Sequence, residues 1–281
     1  MTTLSIDCEL EYSATSDADF IFNIEAAFHP GQQIITEKLL FEPCDLITSG
    51  VDPTGRNRLT KVACGPGNLL VHYNAQVQVN YPEPTGHEEE MSIGQLPVDV
   101  VPYIWSSRYC ESDSVLQLAT ETFGHLPPGY SRVMAICQWI RDNIEYRIGS
   151  TIGTMSARDV LNGKAGVCRD FAHLGITFCR ALNIPARFVT GYTWYNDPPP
   201  DFHAIFEAYI GGRWILFDPT ELAPVTDLVR IATGKDASET AFSTIFGSVS
   251  MVRMSPAVRV VPEETAPAGS NPADVKMTTT A

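Results

Sequence analysis

Between residues 4 and 12 the chain alternates without a break. Leu4, Ile6, Cys8, Leu10 and Tyr12 take one parity, and Ser5, Asp7, Glu9 and Glu11 take the other. A strand sends successive side chains to opposite faces, so this pattern suits a sheet with one face on a core and one in water, and it suits no helix. The alternation returns at 71–81, with Val71, Tyr73, Ala75, Val77, Val79 and Tyr81 in phase. Strand-like segments at 20–28, 32–41 and 57–63 lie between, separated by turn chemistry at His29-Pro30-Gly31, Val51–Gly55 and Gly65-Pro66-Gly67. Residues 1–82 therefore predict an N-terminal antiparallel β domain, a sandwich.

The period then changes. Residues 83–112, punctuated by Pro84, Pro97 and Pro102, read as a linker, and its acidic run Glu88-Glu89-Glu90 reads as a solvated loop. Ser131 is placed to cap a helix carrying Val133, Ile136, Cys137, Ile140 and Ile144 on one face. Ser156 is placed to cap a short helix through Leu161, closed by Asn162-Gly163. A third stripe runs from Cys168 through Phe171, Gly175, Phe178 and Leu182 and stops at Asn183-Ile184-Pro185. Strand-like runs follow at 186–193, 202–210, 213–218, 228–232 and 249–261. Helices first and an antiparallel sheet afterwards predict an α+β unit over 113–261. Residues 262–281, rich in Pro, Ala, Thr and charge, read as a disordered tail.

A net charge of −14 argues against nucleic acid or an anionic membrane as the main partner. The seven cysteines show no CxxC and no zinc spacing, so neither a metal nor another cofactor is expected. No basic-then-apolar leader opens the chain and no run is long enough to span a bilayer, which makes a reducing cytoplasm the expected compartment.

One cysteine stands apart. Gly163-Lys164-Ala165-Gly166-Val167 leads into Cys168 where a helical stripe begins. A helix N-terminus lowers a thiol's pKa, and free N–H groups there can hold an oxyanion. On that context alone a buried inert cysteine is an equal reading. His203 and Asp218 decide between the two. Gly211-Gly212 suits a two-residue type I′ hairpin turn. Pairing Ile210 with Arg213 then sets Asp218 opposite Ile205 and Thr220 opposite His203. His203 and Asp218 become diagonal neighbours on one face, ~7–8 Å apart at the backbone, within reach of a His–carboxylate hydrogen bond. The other histidines fit worse: His173 points off the face of Cys168, His29 and His125 sit beside prolines, His72 alternates within a strand and His87 lies in the linker. Val167 beside the thiol, Tyr146, Tyr192 and Trp194 are candidate substrate contacts. The loop from Trp194 to Asp201 is a candidate cleft wall.

With these residues in place the sequence resembles the transglutaminase-like superfamily, the papain-like Cys-His-Asp enzymes. The likeness runs from Ser156 to Thr220. It includes Ala157–Leu161, Gly166-Val167-Cys168-Arg169-Asp170, Ile184-Pro185-Ala186-Arg187 before a strand ending in Gly191-Tyr192, His203-Ala204, and Trp214 leading to Asp218-Pro219-Thr220. The strand-rich N-terminal region resembles the β domain that precedes this core in many bacterial members. Members often carry His-Ala-Trp where this chain has Ile205 in third place. The resemblance implies a papain-like core with helices packed on an antiparallel sheet, Cys168 as nucleophile, His203 as general base and acid, and Asp218 as the orienting carboxylate. The expected activity is thiol-dependent acyl transfer that cleaves an amide in a peptide or protein, as a cysteine peptidase or amidase. The chain is smaller than the multidomain cross-linkers and has no EF-hand calcium loop, which favours hydrolysis. The alternatives are a protein-glutamine transglutaminase and a non-catalytic peptide-binding scaffold.

Overall fold

The computed structural model describes residues 1–195 and 201–262; the expected tail from 263 onward and residues 196–200 of the loop before His203 lie outside them. The alternation at the N-terminus becomes β1 (Thr2–Ala14), paired antiparallel along its whole length with β6 (Gly67–Val79). The register sets the two apolar parities against each other: Leu4 faces Val77, Cys8 faces Tyr73 and Tyr12 faces Leu69, all buried. β3 (Gln32–Glu42) lies on the far side of β6. A second sheet is built on β2 (Ala18–Phe22), β4 (Leu46–Val51) and β5 (Arg58–Cys64). The two sheets meet through an aromatic cluster in which Tyr12 lies 5.2 Å from Phe20 and 5.9 Å from Phe22. β4 is exposed along its whole length, which leaves it without the apolar parity that marks a strand in sequence.

A core of helices and sheet follows. It holds α1 (Leu116–Phe123), α2 (Tyr130–Asn143), the short pair β7 (Glu145–Tyr146) and β8 (Ala165–Gly166), α3 (Ala157–Gly163) and α4 (Cys168–Ala181). Its sheet, in the order β11-β10-β9-β12, is made of β9 (Ala186–Tyr192), β10 (His203–Ile210), β11 (Arg213–Phe217) and β12 (Val229–Gly234). Every residue of α4 from Asp170 to Ala181 is buried. Burying Phe171, Leu174, Ile176 and Phe178 contributes about 1.5–3 kcal/mol each, so packing and not helix propensity sets where this helix lies. It approaches β10 closely at Gly175, where a Cβ would stand 2.8 Å from Phe206 Cδ1. The Gly211-Gly212 turn has φ of 59° and 76°, as a type I′ turn needs, and Ile210 pairs with Arg213 as expected.

Three expectations change. The core was expected to extend to residue 261, but β13 (Ser243–Phe246) and β14 (Val249–Val261) pair with β2 and β1 and complete the sandwich. The reason is an uncovered edge. β6 covers one side of the thirteen-residue β1, and β14 has the same length and covers the other. The acidic run is no solvated loop. Glu88 pairs with Arg213 at 2.9 Å, the Glu89 carbonyl accepts the Gly211 N–H at 2.8 Å, and Glu90 accepts the Gly129 N–H at 2.9 Å and holds Arg132 at 3.1 Å. Finally, Ser131 lies inside the first turn of α2, and Gly129 is the cap. The Glu90 carboxylate brings negative charge to the helix's positive end, which removes the need for a local hydroxyl cap.

The sandwich also covers the free edge of β12. Gln32 accepts the Arg230 N–H at 2.8 Å and donates to the Arg230 carbonyl at 2.9 Å, and the Ala27 N–H donates to the same carbonyl at 2.9 Å. Replacing Gly175 by Ala should push α4 off β10 and destabilise the protein by about 1–3 kcal/mol. A urea titration reads this directly, and an unchanged midpoint would show that the close approach carries no weight.

Candidate active site

The N-terminus of α4 is built around a carboxylate. Asp170 is fully buried; its Oδ2 accepts the Val167 N–H at 3.0 Å and the Thr151 hydroxyl at 2.6 Å. Its Oδ1 receives Arg169 Nε at 3.1 Å and Nη2 at 2.8 Å. Gly166 has to be glycine, because a Cβ there would stand 2.8 Å from Asp170 Cβ and 3.1 Å from Val160 Cγ1. The spacing Gly-x-Cys-x-Asp thus fixes the loop against the helix and presents Cys168 as its first residue, half-buried. The Cys168 N–H is among the first-turn groups that have no partner inside the helix.

His203 opens β10 and is 1% exposed. Its Nε2 meets Asp218 Oδ2 at 2.8 Å. The other Asp218 oxygen accepts the Thr220 N–H at 2.8 Å and the Thr220 hydroxyl at 2.7 Å, which fixes the carboxylate. Burial works against a charged imidazole, but the hydrogen bond to Asp218 and the neighbouring Cys168 outweigh it and raise His203 to about 10. His203 Nδ1 has no protein partner among the described residues, so it is the ring nitrogen left for the thiol or a reacting group.

The structure therefore brings Cys168, His203 and Asp218 together, and places Val167 with Cys168 and His203 on the wall of a cavity of about 410 Å³. It does not bring Tyr192 or Trp194 there, and it sets Tyr146 near Cys168 but off that wall. Tyr192 shares the β9 face of Phe188 and Thr190 but lies at the strand's end, where the sandwich closes over it: it is fully buried, its hydroxyl donating to the Ile24 carbonyl at 2.8 Å. Trp194 is 46% exposed and off the cavity wall. Tyr146 packs on Phe171 at 5.6 Å and lines a separate hollow with Thr220, although burial first and then the nearby Cys168 push its phenol upward. Ile205 packs with Val189 and Leu228 and is also off the cavity wall.

Tyr195, which the sequence placed in the candidate cleft-wall loop without singling it out from Trp194, is the aromatic that reaches the histidine. Its ring lies 5.6 Å from His203, edge-on. Its hydroxyl clasps Asp201, accepting the N–H at 3.1 Å and donating to the carbonyl at 3.3 Å. The aromatic pair before His203 was the available signal; extended backbone alternates faces, so only one of the two can point inward. His173 is fully buried between Tyr109 and Phe188 and accepts the Ala237 N–H at 3.1 Å. Burial lowers it to about 3, so it stays neutral and structural.

Residues 116–219 match the model of the transglutaminase-like superfamily, and residues 3–99 match that of the bacterial transglutaminase N-terminal domain. A candidate cysteine protease from Cytophaga hutchinsonii, solved as a crystal structure, is 40% identical with a TM-score of 0.89, covering 95% of this chain and 93% of that one. An uncharacterized protein of Mycobacterium leprae is 33% identical over 120 residues, 39% of this chain and 42% of the relative. One from Mycobacterium tuberculosis is 35% identical over 89 residues, 32% and 28% respectively. The match thus spans less than half the length of these mycobacterial relatives.

The raised pKa of His203 makes a pH prediction. A histidine whose folded value is about 10 and whose ordinary value is 6.5 stabilises the fold fully at the acid end of that window, and the contribution fades as pH rises through it. Asp218→Asn removes the carboxylate partner. The stability gap between wild type and variant should therefore be widest near pH ~6 and narrow towards pH ~10 in urea titrations. A gap independent of pH would show that the pair does not hold the charge.

Proposed function

Because this chain belongs to the transglutaminase-like superfamily, we propose that it is a thiol-dependent acyl-transfer enzyme that cleaves amide bonds, a cysteine peptidase or amidase. The observation that carries the reading is the buried His203, held at 2.8 Å by Asp218 and shifted towards its charged form in the presence of Cys168. Its proton comes from the thiol, leaving a thiolate–imidazolium pair at the positive end of α4. The thiolate adds to the substrate carbonyl, and the Cys168 N–H is one donor to the oxygen that gains the negative charge. As the tetrahedral adduct collapses, the carbon–nitrogen bond breaks, and His203 Nδ1–H gives its proton to the departing amine. Water then attacks the thioester, giving a proton back to His203 while the Cys168 thiolate leaves. Asp218 holds the ring in the orientation that keeps Nδ1 towards the sulfur. The likeness to the Cytophaga protein supports the peptidase branch. The seven thiols are all free, which supports work in a reducing compartment.

Cys168→Ala should abolish turnover while leaving the urea midpoint close to wild type; an active variant would remove the mechanism. Asp218→Asn should lower kcat/KM by about 10²–10⁴-fold, as loss of an orienting carboxylate does elsewhere. The acceptor is tested with a glutamine-containing peptide and a labelled amine. Hydrolysis of a backbone amide, read as a new amino terminus, without label incorporation is the expected result, and label incorporation outpacing hydrolysis would reassign the enzyme to amine transfer.

A further inference from the structure

Among the described residues, seven buried ones carry a serine or threonine hydroxyl: Thr60, Ser112, Ser156, Thr177, Thr193, Thr233 and Thr240. Six are bonded within the protein, for example Thr177 to the His173 carbonyl at 2.7 Å and Thr233 to Arg230 at 2.9 Å. Thr240, 2% exposed, has no protein partner for its Oγ1 among the described residues. Thr190 Oγ1 is buried and equally without a partner. Buried hydroxyls are normally satisfied, since leaving one unpaired costs about 1–3 kcal/mol. Both exceptions line the same cavity, and it is the cavity that holds Cys168 and His203.

The two come from different parts of the fold. Thr190 lies on β9 opposite Ala204, the residue after His203. Thr240 lies between β12 and β13, where the chain leaves the core for the sandwich. Around them the wall is apolar, with Phe188, Ile231, Phe242 and Met254. We propose that this cavity is a specificity pocket for a side chain with an apolar stem and an uncharged carboxamide tip, read by Thr190 and Thr240. This rests on Cys168 as the nucleophile, and the carboxamide is the group recognised, not the bond cleaved.

The chemistry of the tip follows from the walls. A hydroxyl both donates and accepts, so two of them match one carbonyl oxygen and one NH2 group. An aliphatic tip of the same shape leaves both hydroxyls unpaired. A carboxylate tip has to shed its water among apolar rings and beside Asp201 on the same wall. Arg169 on that wall has its charge paired with the buried Asp170 through Nε and Nη2.

The test uses chloroacetyl derivatives of the isosteric sets Asn, Leu and Asp, and Gln, Met and Glu. Adduct formation at Cys168 is followed by mass spectrometry, and each rate is divided by that of iodoacetamide on the same protein. At least one carboxamide reagent should label Cys168 about tenfold faster than its aliphatic and acidic counterparts. Thr190→Val and Thr240→Val should each cut that advantage several-fold, while Thr240→Ser, which keeps the hydroxyl, should retain it. Equal rates within both sets, fastest labelling by the acidic reagents, or an advantage that survives both valine variants would overturn the pocket alone. Iodoacetamide labelling of Cys168 no faster than that of the other six thiols would overturn the nucleophile, and the pocket with it.

Discussion

The arrangement depends on one buried carboxylate. Asp170 has no accessible surface, yet it faces the positive end of α4, an arginine, a hydroxyl and a backbone N–H. A carboxylate so placed is costly to bury unless each lone pair finds a donor, and here each oxygen finds at least one. The donors it uses come from either side of the cysteine: Thr151 from the loop before α3, Val167 just before α4, and Arg169 just after Cys168. The cysteine is therefore fixed on a short rigid bridge whose other end is a helix buried on every side. A site on such a bridge keeps its geometry without help from substrate, which is the condition for electrostatic preorganisation.

The sandwich does more than precede the core. The exposed edge of β12 would present unpaired backbone groups, and the Gln32 side chain and the Ala27 N–H satisfy those of Arg230. The Arg230 side chain continues into the sheet, where it and Arg187 flank Glu207, all three buried. Burial opposes the charge on Glu207, but the two guanidiniums outweigh it and hold the carboxyl at about 2. Arg187 in turn lies over the Trp214 ring at 4.0 Å. A charge network thus ties the sheet that carries His203 to the strand the sandwich covers, and the two units meet through hydrogen bonds with defined geometry as well as through greasy contact.

What sequence reveals here depends on how local the determinant is. The His203–Asp218 contact was legible because two adjacent glycines with positive φ set the hairpin register, and register sets every neighbour along both strands. The Cys168 context was legible because Gly166, Cys168 and Asp170 act within one turn. β14 was legible as a strand but not as the partner of β1, since alternation carries a face and no address. Glu88–Glu90 reads as solvent-facing until Arg213, Arg132 and the Gly129 N–H, all distant in sequence, arrive to meet it. Tyr192, Trp194 and Tyr195 show the same limit at single-residue scale: which aromatic faces the histidine depends on where the strand's pleat ends.

The same division runs through the chemistry. Cys168, Asp170 and Thr151 belong to one local frame, and His203, Asp218 and Thr220 to one hairpin and its exit. The walls of the adjoining cavity come from the linker, β9, β12, the segment before β13, and β14, as Tyr109, Thr190, Ile231, Thr240 and Met254 show. The local geometry around Cys168 and around the His203–Asp218 pair is thus set by contacts short in sequence, and the shape of the cleft by contacts that close only when the chain returns to the sandwich. Substitutions in the sandwich's last two strands can reshape the pocket without touching Cys168, His203 or Asp218. A fold divided in this way can keep one chemistry while its substrate changes, because altering Thr240 or Met254 disturbs none of the hydrogen bonds that hold Cys168, His203 and Asp218 in place.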